Sequence, residues 1–295
     1  MTDPRHYMTG DEWMSAARYR LVMPQLGITP GMRCATCGAA VDIFGHHSMR
    51  CPGAALVGRH DAEVVQWARM TRECTRLVVH SEVTGVFSTE RQQVAPGQRS
   101  RKRADVCASD AGTCGFVARG RRAMEERRDR RTTPRPPVVP DPGLAIGDVA
   151  VSDPHAPAYL SAAASRPLGC AERRESAKRA RHEEDVRRAG NTFTPLVLET
   201  YGAMGPGAEA WFRGCIAVAE IQRPEWLEEG EEASQEWERW ARAQLSADWQ
   251  QRISVTLQRG NARVLRSGIL RARAGVGVRV YGHMGGCSLD TGSGD

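Results

Sequence analysis

Apolar positions along the chain fall into short periodic blocks separated by long polar stretches, and the spacing within each block predicts an element. Thr9 and Glu12 form a capping-box pair, and Trp13, Met14, Ala17 and Leu21 share one helical face before Pro24. From His60 to about Arg72 a second helix is expected, with Val64, Val65 and Ala68 inward. Strands are predicted at Arg76–Glu82, Arg103–Ala108 and Leu144–Val151, the last ended by the Asp153-Pro154 turn. A charged helix from about Ala171 to Ala189, closed by Gly190, precedes a fourth strand at Phe193–Glu199. The order α, β, β, β, α, β from His60 onward predicts an α/β fold, a small mixed sheet flanked by helices. In the tail, helical from about residue 207, Trp237, Ala241, Leu245, Trp249, Ile253 and Leu257 recur every four residues as one apolar stripe.

The polar stretches set the domain boundaries. Residues 1–30 are a helix and lead-in, 31–55 a Cys- and His-rich segment, 58–202 the α/β domain, 203–270 a helical tail and 271–295 a disordered end. Within the α/β domain, residues 110–143 contain GRRAMEERRDRRTTPRPPVVPDPG, dense in Arg and Pro and nearly without apolar anchors, so a disordered basic insertion is expected there.

Composition changes the picture modestly. Net charge is +6 with almost all of the excess on Arg, whose planar fork suits phosphate; GC-rich coding inflates Arg, Ala and Gly in the same way. No apolar run approaches the roughly 20 residues that span a bilayer, and the N-terminus has no apolar signal core. Nine cysteines, only three of them clustered with histidines, fit a reducing compartment with one metal site better than a disulfide scaffold. Nuclear or cytoplasmic location is expected, with no membrane and no organic cofactor.

Cys34-x2-Cys37-x8-His46-x4-Cys51 has the ligand types and clustering of a structural Zn2+ site, with His47 able to replace His46. Such knuckles either brace a fold or grip single-stranded nucleic acid. Metal-assisted phosphate chemistry needs carboxylates converging on Mg2+ and a Lys near the attacked phosphate. Asp105 and Asp148 lie on the second and third predicted strands, Glu82 at the end of the first, and Lys178 on the following helix. Lys178 and Lys102 are the only lysines in the chain. A helix as charged as the one around Lys178 is also what a solvated face laced with ion pairs looks like.

The order of knuckle, Arg59-His60-Asp61, and two acidic strands resembles the zinc knuckle and restriction-like (PD-(D/E)xK) endonuclease region of non-LTR retrotransposon polyproteins. Arg103-Ala104-Asp105-Val106 resembles that family's R-P-D-V, with Ala104 at the usual proline. Ile146-Gly147-Asp148-Val149-Ala150-Val151-Ser152-Asp153-Pro154 is similar to its second acidic strand. Lys178-Arg179-Ala180-Arg181-His182 resembles its K-x-x-K-Y helix motif with the first Lys alone retained. Pro195–Gly202 and Gln251–Ala262 are similar to its following strand and its ending, so the likeness covers roughly residues 10–265. This chain departs from the family in the 43-position step from Asp105 to Asp148 and in lacking any Y-x-D-D polymerase motif.

The resemblance implies a restriction-endonuclease-like fold that nicks target DNA by metal-assisted phosphodiester hydrolysis. Asp105, Asp148, Lys178 and Glu82 would be catalytic, with Asp105 and Asp148 binding Mg2+. Arg59, His60, Arg101, Lys102, Arg103 and Arg181 would contact nucleic acid, DNA first and element RNA as the alternative. The rival expectations are an inactive zinc-dependent nucleic-acid-binding remnant and a decayed reading frame without a stable product.

Overall fold

A computed structural model of the chain describes residues 7–51, 55–84, 103–111, 142–226 and 231–282. The helices are α1 (Gly10–Arg20), α2 (His46–Arg50), α3 (Leu56–Thr75), α4 (Leu160–Ser165), α5 (Gly169–Arg188), α6 (Pro206–Val218) and α7 (Glu231–Gly282); the strands are β1 (Val79–Thr84), β2 (Arg103–Ala111), β3 (Pro142–Ser152) and β4 (Thr192–Glu199). The chain divides into two compact units, one built on His60–Gln258 and the other on Met8–Arg59 with the chain from Arg259. Among the described residues, no helix is long and apolar enough to cross a membrane.

In the first unit the strands lie in the order β1-β2-β3-β4. The first three form an antiparallel meander, and β3 pairs with β4 in parallel. A parallel neighbour requires a long crossover, which α4 and α5 supply. The mixed sheet flanked by helices is therefore as the periodicity predicted.

Alternation along the strands sorts side chains onto two faces. On one, Val106, Ala108, Val149, Leu196 and Leu198 pack with Trp67 and Met70 of α3, Trp211 and Phe212 of α6, and Trp249, Ile253 and Leu257 of α7. Of the stripe read from the tail, Trp249, Ile253 and Leu257 form this buried face with Leu245 packed against it, while Trp237 and Ala241 are only partly buried and lie outside it; each fully buried member contributes about 1.5–3 kcal/mol. The opposite face sets Ile146 and Phe193 against Val186 of α5, and Ala150 and Val197 against Ala171 of the same helix. Asp148 alternates with Ile146 and Ala150 and so faces α5.

Helix α6 starts at Gly205 without a capping side chain of its own. Glu175 of α5 supplies the cap, its carboxylate accepting from the Gly207 amide at 2.9 Å. Burial pushes the Glu175 carboxyl up to about 7, against the pull of that amide and of Arg179.

Some faces and ends differ from the periodicity. The Thr9–Glu12 capping box is present in full, but α1 buries Ala16 and Tyr19 and leaves Trp13, Met14 and Leu21 exposed. Helix α3 begins at Leu56, so His60 lies a turn inside it, and Val65 is exposed. The disordered end expected from 271 gives way to helix as far as Gly282. Ala272 is buried with Ile28, Cys34, Val41 and Cys51, and that apolar contact holds the added turns. Of the insertion expected at 110–143, residues 110–111 and 142–143 belong to β2 and β3, and 112–141 lie outside the described residues.

Candidate functional site

The cysteine cluster is assembled in the second unit by two short devices. Residues 32–41 turn back on themselves, with Val41 donating to the Met32 carbonyl at 3.0 Å and Gly38 to that of Cys34 at 2.8 Å. Gly38 sits at φ +70°, a conformation that glycine adopts without a Cβ penalty. This turn brings Cys34 and Cys37 together. Asp42 then organises α2, its carboxylate accepting from the amides of Phe44, His46 and His47 at 3.1, 3.0 and 2.7 Å. Burial opposes that charge, but the His47 and His46 amides prevail and hold the Asp42 pKa below its ordinary value.

The result is a four-residue set of Cys34, Cys37, His47 and Cys51, with one ligand atom from each within 4.8 Å of all the others. The expected ligand His46 is replaced by His47. Neighbouring residues on a helix point about 100° apart, and His46 instead stands edge-on to Tyr19 with ring centroids 5.6 Å apart. The Sγ atoms of Cys34 and Cys51 are 3.7 Å apart, those of Cys37 and Cys51 3.9 Å, and Cys37 Sγ is 3.5 Å from His47 Nε2. A tetrahedron with metal–sulfur bonds of about 2.3 Å has S···S edges of roughly 3.8 Å. Burial raises the Cys34 thiol, yet the Cys37 and Thr36 amides with His47 and Cys51 bring it down to about 5. The set can therefore hold a metal such as zinc, with a thiolate ready to bind it.

The carboxylate site belongs to the first unit. Val106 pairs with Gly147 across the β2–β3 ladder, and one step further along the same register Asp105 stands opposite Asp148. They lie 43 positions apart in sequence, and the ladder between them stays paired out to Ala111 and Pro142. The Asp105 carboxylate accepts from the Val149 amide at 2.7 Å. Lys178 Nζ, on α5, lies 2.6 Å from Asp148 Oδ1 and 3.4 Å from the Val149 carbonyl. His60 Nε2 lies 3.3 Å from Asp105 Oδ2, and its Nδ1 lies 3.3 Å from Asp61.

These contacts shift the protons. The hydrogen bond to Asp105 raises the His60 pKa to about 9 despite burial, with Asp61 adding to the effect, so the imidazole is cationic at neutral pH. Burial pushes the Asp148 carboxyl up, Lys178 pulls it down, and Asp105 pushes it up again through its charge and a side-chain hydrogen bond; the net direction is up. A second carboxylate in such contact disfavours the charged form of Asp148. A divalent cation competes for the same oxygens.

Other candidates fall elsewhere. Glu82 occupies the β1 position facing Asp105 in the register, but at φ +56° on the edge strand, and it is exposed. Arg181 is exposed on α5. Arg59, expected at a nucleic-acid surface, is buried at 5% exposure and donates to Asn261 at 2.8 Å. It fits there because residue 260 is Gly, where a Cβ would meet Arg59 Cγ at 2.5 Å. Arg101, Lys102 and the Arg103 side chain lie outside the described residues.

Sequence reasoning missed Asp42 as the organiser of α2 and His60 as the partner of Asp105. Asp42 could have been found from its place three residues before Gly45, where a short acceptor caps a helix start; the His60 contact has no local signal. Compared with protein-family models, with curated proteins and with solved structures, the chain matches none.

Proposed function

We propose that this chain is a retrotransposon-derived DNA endonuclease domain that nicks DNA by metal-assisted hydrolysis. One observation carries the reading: Asp105 and Asp148 stand opposite each other, with Lys178 against Asp148, across a 43-residue separation in sequence. Salt-bridged surface helices do not need a carboxylate pair of which one member is buried and the other largely so. The order from α3 to β4, α-β-β-β-α-α-β with a meander followed by a parallel crossover, supports a restriction-endonuclease-like fold.

The donor set at this site is oxygen throughout, two carboxylates and the nearby Val149 carbonyl, which suits a hard cation such as Mg2+. When bound, such an ion polarises a phosphoryl oxygen and makes a coordinated water more acidic. Asp105 and Asp148 would hold it. Lys178, restrained by Asp148 and the Val149 carbonyl, would neutralise charge developing on the phosphoryl group. His60 would keep Asp105 turned inward. Water adds to phosphorus and the bond to the 3′ oxygen breaks, leaving a 3′-OH and a 5′-phosphate. In the second unit, Cys34, Cys37, His47 and Cys51 would hold zinc as a structural ion.

A second reading, a nucleic-acid-binding remnant without activity, is favoured by the charge balance of the site. His60 and Lys178 already compensate both carboxylates. A plasmid-nicking assay separates the two, using zinc-loaded protein, Mg2+ and the Asp148→Ala variant. Relaxation of supercoiled DNA by the parent alone is the expected result. DNA binding without cleavage in either protein would sink the nuclease reading and leave the remnant.

A further inference from the structure

The nuclease reading does not use the surface formed by the loop from Ala219 to Trp226 and the first turns of α7. Trp226 stands edge-on to Trp237 with centroids 5.7 Å apart at 82°, and Trp237 lies 4.9 Å from Trp240 at 36°. The middle ring is fixed, because Trp237 Nε1 donates to the Gln222 carbonyl at 3.2 Å. Arg242 ties the same helix to the end of α6, donating to the Ile216 and Ala217 carbonyls at 2.6 and 3.1 Å. The fold thus builds a rigid mount and then leaves its outer rings in water. Trp226 is 73% exposed and Trp240 53%. Adjacent exposed aromatic rings on a fixed mount are characteristic of a surface that binds something.

Charge identifies what fits. Residues 220–226 and 231–240 carry six glutamates and two arginines, a net −4 in a chain whose total is +6. Glu220 pairs with Arg76 and Glu238 with Arg242. Glu225, Glu232 and Glu236 are exposed and meet no cation among the described residues. A phosphate backbone is repelled by such a face. A guanidinium is attracted twice, by the negative ring faces of the indoles and by the carboxylates beside them.

We propose that this face docks an extended, arginine-rich segment of a partner protein. Glu232, Glu236 and Trp240 follow one another at four-residue intervals along α7, and each interval advances about 6 Å. Every second side chain of an extended chain advances roughly 6.6 Å on one face. Arginines at alternate positions therefore meet carboxylate, carboxylate and ring in turn.

The test uses the full chain and a fluorescein-labelled, eight-residue alternating Arg-Gly peptide, read by anisotropy. The comparators are an alternating Glu-Gly peptide and a labelled single-stranded DNA. The Arg-Gly peptide is expected to bind the parent and the Glu-Gly peptide to fail. Trp226→Ala with Trp240→Ala should weaken Arg-Gly binding about tenfold, as expected from two exposed cation–π contacts. Glu232→Gln with Glu236→Gln, an isosteric change at exposed positions, should weaken it at low salt and flatten its salt dependence. Unchanged peptide affinity in both double variants overturns the proposal. So does a tryptophan variant that loses DNA affinity instead. Self-association of the parent by sedimentation, abolished in the tryptophan variant, would assign the face to a second copy and overturn it as well.

Discussion

Replacing His47 and His46 one at a time discriminates two ligand sets that differ by a single position. In the structure His47 Nε2 is 3.5 Å from Cys37 Sγ and belongs to the four-residue set, while His46 packs edge-on to Tyr19. Structural zinc sites release about 10–16 kcal/mol on binding. Shared over four ligands that is about 3 kcal/mol each, so His47→Ala should weaken zinc binding by roughly two orders of magnitude. His46→Ala removes an edge-to-face contact with Tyr19, about 0.5–1.5 kcal/mol. It should lower thermal stability and leave zinc affinity within about twofold, since no first ligand is lost. Competition against a chromophoric chelator at fixed pH measures the affinities, and calorimetric melting of the zinc-loaded proteins measures the stabilities. A large affinity loss in His46→Ala with none in His47→Ala would refute the assignment. Equal losses in both would show that the two imidazoles exchange at the metal.

Three further outcomes follow from buried groups in the first unit. Glu175 has a folded pKa of about 7 against an ordinary 4.5, so the folded state holds the proton more tightly and stability falls as pH rises between those values. The loss is on the order of 2–3 kcal/mol; urea unfolding at pH 5 and pH 7.5 should show it in the parent and not in Glu175→Gln, and the same slope in both would refute it. A Cβ at Gly147 would lie 2.7 Å from Leu196 Cδ1, so Gly147→Ala should cost about 1–3 kcal/mol by overpacking; an unchanged melting temperature would show that Leu196 moves aside freely. Lys178→Met removes the cation 2.6 Å from Asp148, and single-turnover nicking should fall about a hundredfold or more with DNA binding retained; undiminished nicking would take Lys178 out of the reaction.

Strands and most helices were legible because each depends on local periodicity and local punctuation. Gly190 at φ +75° ends α5 as its position in the sequence predicts. Faces and partners were less legible, because they are chosen by distant residues. Trp13 is the largest apolar side chain of α1, yet Ala16 and Tyr19 are what the helix buries. Arg59 is expected at a nucleic-acid surface, but Gly260 opens a space for it and Asn261, 202 positions away, accepts its hydrogen bond. His46 and His47 are chemically identical neighbours, and the choice between them depends on Gly45 at φ +87° and on Asp42 fixing the start of α2. The His60–Asp105 contact joins a helix to a strand across sequence that carries no trace of it.

The separation of Asp105 and Asp148 obscured their geometry most, and its physical cost is small. Residues 112–141 leave β2 and rejoin β3 at Ala111 and Pro142, which are paired across the ladder. An addition at that point lengthens a hairpin connection without changing the register that sets the two aspartates opposite. Closing a connection of thirty residues rather than four costs about 2 kcal/mol more in entropy. The buried faces of β2 and β3 oppose that loss with several side chains worth about 1.5–3 kcal/mol each. A slip of one residue would turn Val106 and Val149 from the Trp211 side of the sheet to the other. Burial of the strand faces thus fixes the carboxylate pair, and the length of chain between its members does not.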